Sequence, residues 1–379
     1  MAVFDRRQRP IQDEKSTQGS FGPKQEAKSK FAVKIITRGA VIRLAVLTVL
    51  LAMFCLWGYF TMVKMPGKSY TGPLPPLTDA EGLLRDELVR DVEKLAGEIG
   101  EKSVWQYKNL TAAADFIESS LIEAGCRPSR QNYQVEGKTC WNIEVEIAGT
   151  KHSEQIVVIG AHYDSVYGSP GANDNISAVA AALALARRFS GKTPTVTLRF
   201  VFFVNEEPPF YHTDQMGSVV YAKSCRAKGD YIIAMLCLES IGYYCEQPNS
   251  QKYPFPFSLM YPSTGNFIGF VSNLFSRKIL RKVVASFRKN CKFPSQSGAV
   301  PEMVPGINWS DHWSFWRQGY PAIMITDTAP FRYPYYHTPQ DTADIIDYDR
   351  LSRVVCGLGA VIAELVELST NYRSSGHLL

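Results

Sequence analysis

The 379-residue chain has no Cys-x-x-Cys or Cys-x-x-His spacing, no Gly-x-Ser-x-Gly turn and no internal repeat. The first absence excludes a thiolate zinc site of the usual spacing. The second, with no cysteine in a His/Asn context among the eight, excludes the common covalent hydrolase designs. The third excludes a solenoid or propeller. Excess charge is also missing from most of the chain. Residues 1–43 hold ten Lys/Arg against four Asp/Glu, so the remaining 336 residues carry about −1 of the formal +5. The body offers no basic face for a nucleic acid, and none is expected as a partner. Apolar residues at 45% and charged residues at 20% exclude wholesale disorder.

What is present begins with a span. Residues 44–63 are twenty in a row without a charge, about 30 Å of helix and the thickness of a bilayer's hydrocarbon core. The run shows no polar stripe, is longer than a signal-peptide core and ends in Trp57, Tyr59 and Phe60, which suit a membrane interface. Residues 1–43 are read as a basic cytoplasmic tail carrying Arg6, Arg7, Arg9, Lys15, Lys24, Lys28, Lys30, Lys34, Arg38 and Arg43. By the positive-inside rule the N-terminus is cytoplasmic and the part after the span extracytoplasmic. Residues 64–79 are a Pro/Gly-rich linker, and 80–372 are read as one large domain. Cys55 lies in the span, so seven cysteines follow it and an odd one stays unpaired in a monomer. Sequons stand at Asn109, Asn175 and Asn308. Nothing in the sequence fixes the oligomeric state.

Helical spacing appears over 79–99 and 111–124, and an Ala/Leu-rich helix over 176–189. Nearly continuous apolar runs at 155–161, 195–204, 231–238 and 321–326 predict strands buried on both faces. Residues 134–148 alternate, which predicts antiparallel edge strands. Together these give an α/β fold.

Functional groups in such sheets collect at the carboxyl ends of the strands. Here the first run ends in His162-Tyr163-Asp164, the second in Asn205-Glu206-Glu207 and the third in Glu239. The fourth leads through a Pro/aromatic loop to His337, and Asp174 precedes the Ala-rich helix. Each has a plain alternative: an HxD pair arises by chance, Asp174 suits a helix cap, and paired glutamates suit a solvated loop. Glu239 is harder to explain away, because a carboxylate after a buried run needs a partner. Imidazole with carboxylate suits a zinc ion. Five candidate ligands exceed what one open tetrahedral zinc takes, and fit two ions about 3.5–4 Å apart. Asp164 would orient His162, and Glu206 and Glu207 offer a base and a ligand side by side.

The ordered set IGAHYDS, PGANDN, VNEE, LCLESIGY, WSDHWSFW and YYHTPQDT resembles the co-catalytic zinc exopeptidases of the bacterial leucyl aminopeptidase type. That family also contains glutamate carboxypeptidases and glutaminyl cyclases. The resemblance runs over about residues 80–370 and implies an α/β/α sandwich around a mixed, mostly parallel sheet. It implies Asp174 as the bridging ligand of two zinc ions, Glu207 and His337 completing one site, and His162 and Glu239 the other. Glu206 would be the general base, Asp164 the partner of His162, and the peptide after Asp174 would be strained. The family often has Asp where this chain has Glu239, a longer arm for the same carboxylate. Asp311 and His312 match its SDH segment, either in the first turn of a capped helix or lining the substrate pocket.

The implied activity is hydrolysis of the amino-terminal peptide bond of a peptide with a free N-terminus. Two rivals stand beside it: one-zinc glutaminyl cyclisation, and a dead ectodomain of the same fold. The aromatic stretches 208–215 and 328–338 either build an apolar side-chain pocket or simply pack. No acidic partner for the substrate amine can be picked out.

Overall fold

The computed structural model describes residues 37–368 together with Gly22, so Arg6 to Lys34 of the basic tail lie outside the described residues. The chain divides into a unit ending at Met53 and a body that starts at Phe54. Helix α1 (Arg38–Gly58) continues through a wider turn, Tyr59–Val63. Among the described residues, 38–63 form the one helix long and apolar enough to cross a membrane, and its most apolar window is not buried in protein.

In the body the helices are α2 (Asp79–Val92, running on to Glu98), α3 (Tyr107–Glu123), α4 (Ser177–Phe189), α5 (Gly217–Lys228), α6 (Arg277–Asn290), α7 (His312–Arg317), α8 (Ala329–Arg332) and α9 (Tyr348–Leu365). The strands are β1 (Ser129–Val135), β2 (Lys138–Ile147), β3 (His152–His162), β4 (Val196–Phe203), β5 (Tyr231–Glu239), β6 (Ile268–Ser272), β7 (Ser295–Ala299) and β8 (Ala322–Thr326). Helix α2 starts where the sequence places it because Thr78 and Glu81 cap it reciprocally, each side chain accepting the other's backbone N–H.

The eight strands form one sheet in the order β1-β2-β4-β3-β5-β8-β6-β7. The central four, β4, β3, β5 and β8, are parallel, and the β1–β2 hairpin adds antiparallel at the β4 edge. On the other side β6 runs antiparallel to β8 and parallel to β7. The mixed, mostly parallel α/β/α sandwich is therefore present. Alternation along β3 explains the layers. Val157, Ile159 and Ala161 enter a large core that includes residues of α2, α3, α4, α6 and α9. Ile156 and Val158 enter a smaller one with Tyr221, Ala222 and Cys225 of α5 and Phe315 and Trp316 of α7. A strand buried on both faces has no polar side to display, hence its unbroken apolar run.

Residues 64–78 lie along this body. Arg281 of α6 donates to the Lys64 carbonyl at 2.7 Å, Met65 is buried, and the Ser295 N–H donates to Ser69 Oγ at 2.8 Å. All eight cysteines are free thiols.

Candidate metal centre and its two cavities

Three parallel strands deliver their last residues to one rim. His162 ends β3 and Glu239 ends β5, while Glu206 and Glu207 follow β4 by three and four residues. Asp174 comes from the turn before α4, and His337 from the loop after α8 at φ +58°. The turn depends on Gly171 (φ +67°), where a Cβ would sit 2.5 Å from the Asp174 carbonyl and 2.7 Å from Ser165 Cβ. The Asp174–Asn175 peptide is cis.

The two oxygens of Asp174 face different histidines. Oδ1 is 3.5 Å from His162 Nε2, and Oδ2 is 3.2 Å from His337 Nε2. Around the first, Glu239 Oε2 lies 3.4 Å and Glu206 Oε2 3.7 Å from His162 Nε2. Around the second, Glu207 Oε2 is 3.2 Å from His337 Nε2. Two groups of donor atoms, each within 4.8 Å of one another, thus share Asp174: His162–Asp174–Glu239 and Asp174–Glu207–His337. His162 Nε2 and Glu207 Oε1 are buried without a hydrogen-bond partner. Orphaned buried atoms of this kind are costly unless something binds them. The donor set fits zinc.

The charges point the same way. Burial opposes a charged His162, yet Glu206, Asp164, Asp174 and Glu239 around it hold its pKa well above the usual value. Burial likewise opposes charge on His337, but Asp174 and Glu207 raise it to about 10. Asp174 is also buried, and the two histidines keep it below the ordinary carboxylate range. Burial pushes Glu207 up to about 7 and Glu206 well above its ordinary value. With the four carboxylates ionised and the two imidazoles neutral, the form that binds a metal, the rim carries negative charge that a divalent cation neutralises.

Asp164 does more than orient His162. His162 Nδ1 lies 3.2 Å from its backbone carbonyl and 3.5 Å from Oδ1. Its carboxylate also accepts the backbone N–H groups of Glu206 and Glu207, each at 3.1 Å. One buried side chain therefore fixes an imidazole and both glutamates.

Other supports were not singled out from sequence. Asp341 accepts the N–H groups of Asn173 (2.7 Å) and Asp174 (3.1 Å) and the Tyr333 hydroxyl (2.7 Å). It lies four residues past His337, inside the quoted YYHTPQDT segment. Asp327 accepts from the Asn173 amide at 2.9 Å and from the Tyr243 N–H at 2.8 Å. It directly follows β8, so the strand-end rule could have found it. Ser310 Oγ donates to Glu239 Oε2 at 2.6 Å, which leaves it no part in capping α7. Asp311 and His312 open α7 fully buried and line neither cavity; His312 Nε2 donates to the Ile307 carbonyl at 2.7 Å. Asn175 is buried with its amide bonded to the Leu238 carbonyl and the Ser240 N–H, so this sequon is not free to take a glycan.

Two cavities meet at the rim. A polar one of about 140 Å³ is lined by Asp174, Glu206, Glu207, Pro208, Tyr211 and His337, with Glu239, Trp309 and Tyr336. An apolar one of about 120 Å³ shares those last three and extends beneath Phe257, Tyr261, Phe267, Val271, Met324 and Phe331. The two aromatic stretches, left open between pocket and packing, therefore part ways. Residues 328–338 serve both cavities, whereas 208–215 meets only the polar one.

Fold and site together define a zinc-exopeptidase architecture, and residues 142–362 match the model of peptidase family M28. The chain belongs to that family and is a peptidase, a hydrolase. Among its relatives, the Escherichia coli K12 protein YfbL is 36% identical, over 72% of this chain and 86% of the relative. A probable leucine aminopeptidase of Arthroderma otae is 29% identical, over 54% of this chain and 52% of the relative, so the chain spans about half of that protein. BSAP, a zinc aminopeptidase of Bacillus subtilis, superposes with a TM-score of 0.60 at 15% identity, over 74% of this chain and 95% of that one, a likeness of fold.

Proposed function

We propose that the protein is an aminopeptidase with two zinc ions, held in the membrane by residues 44–63 with its N-terminus cytoplasmic and its catalytic domain outside. The observation that carries the two-ion reading is Asp174, whose oxygens serve two separate donor groups beside two orphaned buried atoms. His162, Asp174 and Glu239 would hold one ion, and Asp174, Glu207 and His337 the other. When bound, the zinc ions polarise the scissile carbonyl and make water a better nucleophile at neutral pH.

The chain's own groups do the rest. Glu206 lines the polar cavity, and its buried carboxylate takes a proton from the attacking water. As the C–O bond forms and the C–N bond breaks, Glu206 returns that proton to the leaving amine. Asp164 keeps Glu206 and Glu207 in place through their backbone N–H groups. The apolar cavity receives the N-terminal side chain. The substrate amine then lies at the junction, beside Glu239, a carboxylate common to both cavities.

The test is zinc stoichiometry of the full-length protein in detergent, with activity on aminoacyl-arylamides before and after chelation. Two zincs and chelator-sensitive release of the arylamine are expected. One zinc with closure of an N-terminal glutamine would favour the cyclase reading, and no zinc after reconstitution would leave a dead ectodomain.

A further inference from the structure

The apolar cavity lies beside the last segment of the span, Tyr59–Val63. Its lining residue Gly298, on β7, lies so close to that segment that a Cβ there would be 4.0 Å from the Met62 carbonyl and 2.9 Å from Tyr261 Oη. The same cavity is bordered by Pro254 and Phe257 on one side and Val304 and Pro305 on another. The residues next to these linings are apolar and turned to solvent. Phe255 is 83% exposed, Leu259 77%, Met303 88%, and Met260 is exposed as well. Singly, exposed apolar residues need no explanation; gathered on both lips of one apolar cavity, they do.

Charge adds a second, independent observation. Helix α6, which joins β6 to β7, carries Arg277, Lys278, Arg281, Lys282, Arg288 and Lys289, and its span contains no acidic residue. Among the described residues, Arg277, Lys278, Arg281 and Lys282 form no ion pair, and Arg281 holds the carbonyl of Lys64, the residue after the span. Leu274 and the 67% exposed Phe275 precede the helix. Basic side chains with exposed aromatic and aliphatic ones, beside a chain leaving a bilayer, match an anionic lipid surface in both charge and polarity.

We propose that the lip formed by Phe255, Leu259, Met260 and Met303 docks into the headgroup region of an anionic bilayer, so that the apolar cavity opens onto lipid. Its substrates are then amphiphilic amides whose N-terminal side chain is a long hydrocarbon partitioned into the membrane. The lip stays exposed because lipid covers it, and no segment of the described body does. The inference rests on residues 44–63 crossing the membrane.

The experiment uses the full-length, zinc-loaded protein in phosphatidylcholine/phosphatidylglycerol vesicles. In Leu259→Trp, lipids brominated near the top of their chains should quench the added indole fluorescence by about half relative to water-exposed controls. In the triple variant Phe255→Ser, Leu259→Ser, Met260→Ser, kcat/KM on a vesicle-borne 2-aminododecanoyl-arylamide should fall about tenfold. On soluble leucyl-arylamide it should stay within twofold, since these side chains lie outside both cavities. An unquenched indole, or equal losses on both substrates, overturns the proposal. Release of the wild type from membranes by alkaline carbonate would instead remove the anchoring reading, and the proposal with it.

Discussion

The two cavities meet at Glu239, Trp309 and Tyr336, yet they are made of opposite materials. The polar one is walled by strand-end carboxylates and imidazoles held by buried hydrogen bonds, with Asp164 and Asp341 fixing the backbone beneath them. The apolar one is walled by Tyr253, Phe257 and Tyr261 from one loop, by Val304, Ile307 and Trp309 from another, and by two five-residue strands, β6 and β7. Rigid donors at fixed distances suit chemistry, where a misplacement of about 1 Å costs on the order of 10²-fold. A loop-built apolar space suits selection, where a methylene counts for only about 1–3 kcal/mol. On the proposed reading, bond cleavage falls to one cavity and side-chain choice to the other.

The sharpest way to break that division is Glu206→Gln. It should lower kcat about 10³-fold while zinc content and binding of apolar product analogues stay near wild type. Loss of both zincs together with activity would show Glu206 to be part of the ion-holding set instead. Lys102→Met tests the support beneath the polar cavity. Lys102 is fully buried and donates to the carbonyls of Gly100 (2.6 Å), Pro170 (2.7 Å) and Leu95 (3.3 Å). Burial pushes its pKa down to about 7, while Asp341, Asp164 and Glu101 favour the ammonium. Without the donors three carbonyls go unpaired, and the segment leading into Asp174 loosens. About 2 kcal/mol of stability should be lost, read as a fall in Tm of several degrees. An unchanged Tm would make Lys102 dispensable.

On the apolar side, Val271→Trp fills space from β6. The ratio of leucyl- to alanyl-arylamide kcat/KM should fall about tenfold with zinc content unchanged. If the ratio holds, the N-terminal side chain goes elsewhere.

The sequence made the polar cavity far more legible than the apolar one, for a physical reason. A parallel strand buried on both faces is an unbroken apolar run, so a charged residue at its end stands out; His162, Glu206, Glu207 and Glu239 were all visible this way. Asp327 at the end of β8 is legible by the same rule, but its role is not, because its partner is the Asn173 amide 154 residues away. The orientation of Asp174 is equally remote, being set by Asp341 across 167 residues. Strands β6 (IGFVS) and β7 (SQSGA) carry Gly and Ser with no period to detect. The apolar cavity draws on segments spread from Glu239 to Tyr336, so no local window contains it. His212, from the stretch that either walls a pocket or packs, stacks between Tyr211 and Trp313 at ring separations of 3.9 and 3.8 Å.

His312 links this packing to the apolar cavity and gives the smallest effect per unit change. Its Nε2 donates to the Ile307 carbonyl, and Ile307 lines the cavity. Burial lowers its pKa to about 4, more than the bond to Ile307 raises it. On acidification the unfolded chain protonates this side chain near pH 6.5, while the folded protein resists until about pH 4. Between those values the unfolded state binds more protons, so folding stability falls as pH falls, by about 1.4 kcal/mol per unit for this group. His312→Phe keeps a ring and removes the titration, at the cost of the bond to Ile307. The variant should be the less stable protein at pH 7, and its stability relative to the wild type should rise by about 3 kcal/mol on going to pH 4, enough to close or reverse the gap. Denaturant unfolding of both proteins across that range measures it. The raised pKa values of buried Asp311 and Asp327, each about 7, act in the opposite direction in both proteins and largely cancel in the difference. Parallel profiles would mean that His312 takes up its proton in the folded state as readily as in the unfolded chain, and the wall of the apolar cavity would then have no acid-sensitive tie at Ile307.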